Sequence, residues 1–91
     1  MPVLSRFYGI VIRMYFLQSE HNPPHIHAIY NDDVAAIDFM TGTVLEGYLP
    51  PKALAMVREW IDLHKSELKE IWETQSFKSI LPLEEGVRYV S

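Results

Sequence analysis

The stretch "TVLEGYLPPKALAMVREWIDLHKSELKEIW", residues 43–72, changes its period halfway, and that change decides the fold. Up to Leu49 it reads as a short strand. After the two prolines, apolar side chains recur at Leu54, Val57, Trp60, Ile61, Leu68, Ile71 and Trp72, spaced by threes and fours as one helix face requires. Pro51 suits the first helical turn, where its missing N–H would have no partner anyway. The helix is expected to reach about Thr74. His64 falls where the stripe asks for an apolar residue, so a break near "HKSE", with Ser66 capping a second helix, fits the same pattern. Trp60 and Trp72 are twelve residues apart, which leaves them about 120° from one another around the helix. Both are expected to border the core-facing stripe rather than to form a stacking platform.

Upstream, the period is two. "FYGIVIRMYFL", residues 7–17, is β-branched and aromatic and reads as one strand, with Ile10, Ile12, Met14 and Phe16 on the core face and Val11, Arg13, Tyr15 and Leu17 on the other. "IHAIY", "VAAIDFM" and "TVLEGYL" are further extended segments, separated by the turn signals "NDD" and "TG". The expectation is an α+β domain: an antiparallel meander of three to four strands, then a long C-terminal helix packed on one sheet face through Trp60, Ile61, Leu68 and Trp72. The opposite face is left for function. Gly42 and Gly47 belong at turns or bulges, and "GVRYV" at the end either adds a strand or frays. With 91 residues the chain forms a single domain with one thin core.

Composition removes several classes of function. The absence of cysteine excludes disulfides, thiolate-bound zinc and thiol catalysis, and it suits a reducing cytoplasm. No run approaches the roughly 18 apolar residues of a membrane span. Arg13 interrupts the apolar start, which also lacks a signal-peptide cleavage pattern. The net charge is −4, and the region from 31 to 49 carries Asp32, Asp33, Asp38 and Glu46 without a single base. Such a field disfavours nucleic acid and suits a basic protein partner.

"HNPPHIH", residues 21–27, holds three of the four histidines. In a strand beginning at His25, the side chains of His25 and His27 share a side, and His21 reaches toward them across the stiff Asn22-Pro23-Pro24 turn. Three uses are compatible with this cluster. The histidines can hold the turn by hydrogen bonds or face a partner. They can bind a divalent metal through His21, His25 and His27, although the spacing matches no helical metalloenzyme signature. Or His25 and His27 can act as base and acid in a metal-free phosphodiesterase, with Arg13 or Arg6 as the cation and Tyr15 and Tyr48 positioning the substrate. Against a catalytic Arg13 stands a simple cross-strand ion pair with Asp38 or Glu46. His64 fits the helix surface or core edge and is only a remote extra ligand.

"SRFYGIVIRMYF", "HNPPHIHAIY", "VAAIDFMTGTVLEGYLP" and the helix with "REWIDLHKSEL" and "WE" together resemble a family of small bacterial proteins known only as a domain of unknown function. The resemblance runs from about Ser5 to Glu73. It implies a gene arrangement like that of toxin–antitoxin pairs, and its recurrent motif positions here are Arg6, Tyr8, Arg13, His21, Asn22, Pro23, Pro24, His25 and His27. It transfers no catalytic residue, and the acidic charge is unlike that of ribosome-dependent RNase toxins, which are typically basic. The expected function is a cytoplasmic interaction component of a two-gene module. It would bind a protein partner through the free sheet face and the proline turn, and no cofactor is needed. The alternatives are a histidine-centred phosphodiesterase or RNase, metal-dependent or not, and a structural homodimer joined by edge strands.

Overall fold

A computed structural model describes residues 3–14, 23–74, 76 and 78–83. The strands are β1 (Val3–Phe7), β2 (Ile10–Arg13), β3 (His25–Tyr30), β4 (Asp33–Asp38) and β5 (Val44–Gly47), followed by the helix α1 (Pro51–Thr74). The strands form one antiparallel sheet in chain order, β1-β2-β3-β4-β5. This is the expected α+β meander followed by a long helix, with one strand more than the sequence suggested.

The additional strand comes from a hairpin inside the segment read as one strand over residues 7–17. Phe7 pairs with Ile10, so Tyr8 and Gly9 alone make the turn, at φ 52° and 78°. Two positive φ values in a two-residue loop match the right-handed twist of the flanking strands. Tyrosine carries no signal for such a turn, since a left-handed residue other than glycine costs about 1–2 kcal/mol. The β3–β4 hairpin uses Asn31, also at positive φ, where an asparagine is well tolerated.

Alternation then sorts the sheet. Ile10, Ile12, Ile26, Ala28, Ala35 and Ile37 turn inward and meet Ala53, Val57, Trp60, Ile61, Leu68 and Ile71 of α1 in one buried cluster. Met14 joins that cluster as expected, while Phe16, Tyr15 and Leu17 lie outside the described residues, as do His21, Asn22 and the final "GVRYV". Trp60 is fully buried and stacks on Phe7 at 5.8 Å. The helix bends where the stripe was interrupted: His64 leaves helical geometry at φ −122°, ψ 22°. Its Nδ1 donates to Glu67 Oε1 at 2.7 Å and its ring lies 5.4 Å from Trp60, so it sits at the core edge.

Past the helix, residues 78–83 lie against the β1 side of the sheet. The Ile80 amide donates to the Leu4 carbonyl, the Trp60 indole N–H donates to the Leu81 carbonyl, and Ile80 and Leu83 are buried. At the other edge, β5 has β4 as its neighbour, with a bulge between the Ala36 and Ile37 pairings. None of the described residues forms a helix long and apolar enough to cross a membrane.

Candidate functional site

The site is built on the sheet face turned away from α1. Strand register lines up Arg13, His27, Ala36 and Glu46 in one row across β2 to β5. Neighbouring strands are about 4.8 Å apart, so the row spans about 14 Å at the Cα level. Ala36 is too short to rise between His27 and Glu46. Next to this row runs an apolar one, Arg6, Val11, Ile29 and Val34, in which only the β1 position is charged. Tyr48 extends the face beside Val34, its amide donating to the Val34 carbonyl. Val34 and Tyr48 are 47% and 58% exposed, high values for apolar and aromatic side chains in contact with a sheet.

His25 and His27 lie near one another as their spacing requires, with ring centroids 5.2 Å apart. Their surroundings differ sharply. His25 is only 7% exposed, its Nδ1 donates to the Pro23 carbonyl at 2.8 Å, and its ring packs 5.6 Å from Trp72 of α1. It therefore fixes the proline turn to the helix. His27 is half-buried and faces outward in the charged row. Its pKa lies below the ordinary histidine value, first because burial penalises the imidazolium and then because His25 is close, while Glu46 acts in the opposite direction.

The remaining candidates divide by location. Pro23 is exposed and Pro24 half-buried at the entry to β3, beside His25. Arg6 is exposed on β1, one row from Arg13. Tyr8 sits in the β1–β2 turn, at the Tyr30 end of the sheet and hence about 17 Å along the strand direction from His25. Among the described residues no group of three His, Asp or Glu side chains is arranged to hold a metal; His21 lies outside them. Asp38, one of the two carboxylates expected as a partner of Arg13, accepts from the amides of Met40 and Thr41 through Oδ1 and shapes the β4–β5 loop. Glu46 remains the carboxylate that shares the row with Arg13.

Two sets of contacts had no reading in the sequence. Trp72, expected in the helix stripe, packs against the core and also covers His25 and Phe39, at 5.6 and 6.2 Å. Arg58 and Lys65 reach the β4–β5 loop and donate to the carbonyls of Gly42 and Met40. The spacing of Arg58 and Lys65 by seven, which puts both on one helix face, was the available signal.

No curated protein matches the chain, and no solved structure does. A family model described as "Domain of unknown function (DUF4160)" matches residues 9–73, from the first hairpin turn to the end of α1. That match takes in His25, His27, Arg13 and Glu46, and the chain belongs to the DUF4160 family.

Proposed function

We propose that this protein is the partner-binding component of a two-gene bacterial module of the toxin–antitoxin kind, acting in the cytoplasm. Its outward sheet face receives a basic protein. The observation that carries this reading is the pairing, on one face, of a half-buried apolar row ending in the exposed Val34 and Tyr48 with the row of Arg13, His27 and Glu46. Apolar area supplies the driving force for association, and a line of fixed charge sets orientation. The acid-rich span from Asp32 to Glu46 and the net charge of −4 suit a basic partner. In this reading Pro23 and Pro24 present a stiff rim to the same partner, and His25 serves to hold that rim.

Size-exclusion chromatography of the full chain with the product of its neighbouring gene tests the proposal. Co-elution at micromolar concentration is expected, and it should be lost in Tyr48→Ala and in Arg13→Glu. Separate elution of two folded proteins at that concentration removes the proposal.

One observation favours the histidine-centred phosphodiesterase as a second reading. Arg13 stands opposite His27 with Glu46 in the same row, which assembles a cation, a titrating base and a carboxylate. His25 contributes little there, because its Nδ1 is occupied and its ring is covered. Hydrolysis of an RNA or a model phosphodiester that falls at least a hundredfold in His27→Ala would support this alternative; equal rates in wild type and variant would end it.

A further inference from the structure

We propose that the cleft between the β4–β5 loop and the middle of α1 binds a phosphate monoester carried on a small hydroxylated molecule. The cleft has a volume of about 310 Å³, at the small end of ligand sites. Phe39, Val44 and Ile61 form its floor, and polar groups form its rim.

Two cations dominate that rim. Arg58 uses Nε on the Gly42 carbonyl at 2.9 Å, and Lys65 donates to the Met40 carbonyl at 3.3 Å. Each is thereby tethered beside the loop with further N–H groups to spare. Among the described residues the ion pairs are those of His64, Glu67, Glu70 and Lys78, so neither Arg58 nor Lys65 is engaged in one, although Asp62 lines the same cleft. The kink at His64 sets the path of the chain into Lys65 immediately after it.

The loop adds a directed hydroxyl. Thr41 donates its hydroxyl proton to Thr43 Oγ1 at 2.9 Å, which leaves the Thr43 hydroxyl proton available to an acceptor outside the pair. Guanidinium, ammonium and hydroxyl donors around one small cleft call for a ligand with several anionic oxygens, as phosphate has. Asp62 also lines the cleft and cannot serve the phosphate. It can accept from a hydroxyl, which is why a hydroxylated ester fits better than the bare anion. This site lies on the helix side of the sheet, separate from the Arg13–His27–Glu46 row, and stands or falls independently of it.

Amide NMR titration of the full chain tests the assignment, with inorganic phosphate, ribose 5-phosphate and ribose compared at one ionic strength held by sodium chloride. Saturating shifts confined to residues 41–44 and 58–65 are expected for both phosphates, with the ester binding more tightly. Ribose alone should not saturate. Lys65→Gln should weaken both phosphates about tenfold, the loss of one charged hydrogen bond, and Arg58→Gln should do likewise. Asp62→Ala, which removes the acceptor, should abolish the preference for the ester and keep phosphate binding. Linear, scattered shifts overturn the site, as does unchanged affinity in a folded Lys65→Gln. An ester that binds no better than phosphate overturns the hydroxylated class of ligand.

Discussion

Arg13 stands directly opposite His27 across the β2–β3 pair, and their row continues over Ala36 to Glu46. The imidazole of His27 is tuned first by burial and by its neighbour His25, which lower its pKa, while Glu46 at the end of the row acts in the opposite direction. Register produces this arrangement without any special loop: three strands supply one polar side chain each at the same height, and the fourth supplies an alanine. The same regularity leaves the apolar row of Val11, Ile29 and Val34 beside it.

Stability should depend on pH through His27. Its folded-state pKa is depressed by burial and by His25, so the unfolded chain takes up a proton first as pH falls. The contribution is fully present above the unfolded value of about 6.5 and declines as pH drops from there toward the folded value. Urea midpoints measured between about pH 7.5 and about pH 5 should fall in wild type, with a visibly shallower fall in His27→Gln. Parallel curves for the two proteins would locate the effect elsewhere.

His25 and His27 should part company on truncation. His25 is buried on Trp72 and bonded to the Pro23 carbonyl. Replacing it with alanine removes packing and a hydrogen bond, at a cost of about 2–3 kcal/mol by denaturant unfolding. His27→Ala, on the outward face, should cost less than about 1 kcal/mol near neutral pH.

Gly47 is a position where the backbone leaves no choice. It has φ +84°, and a Cβ there would fall 2.1 Å from the Val34 carbonyl oxygen. Gly47→Ala should cost well over the about 1–2 kcal/mol of the left-handed conformation alone, because the β4–β5 pairing must shift. Gly42→Ala is the matched control. It also has positive φ, but its Cβ would meet only the Arg58 side chain, at 3.7 Å. Thermal or urea unfolding should rank Gly47→Ala clearly below Gly42→Ala.

Trp60 ties the segment after the helix to the core through its indole N–H and the Leu81 carbonyl. Trp60→Phe keeps most of the ring packing on Phe7 but removes that donor. Loss of about 1 kcal/mol is expected, with faster hydrogen exchange at the Ile80 amide, which bonds to Leu4. Unchanged exchange at Ile80 would show that the segment is held by its buried side chains alone.

Much of this architecture could be read from residue patterns. The switch from period two to spacings of three and four at Pro50-Pro51 marked the helix, and the misplaced His64 marked its kink. Two histidines at i and i+2 gave their proximity. Patterns failed where one residue broke a local rule or where contacts depended on how helix and sheet meet. Tyr8 adopts a left-handed turn that its type does not announce, so β1 and β2 looked like one strand. His25 shares a strand side with His27, yet Trp72 reaches over the strand end and buries it, which alternation along a strand cannot reveal. The loop contacts of Arg58 and Lys65 were not legible because their partners are carbonyls, which leave no mark in a charge pattern.

The claim that the outward sheet face is a protein-docking surface is tested most directly by hydrogen–deuterium exchange on the chain alone and mixed with its neighbouring gene product. Protection should appear in β3–β5, centred on His27, Val34 and Glu46–Tyr48, and should leave the exposed side of α1 unchanged. Protection of the α1 surface with no change across those strands would contradict it.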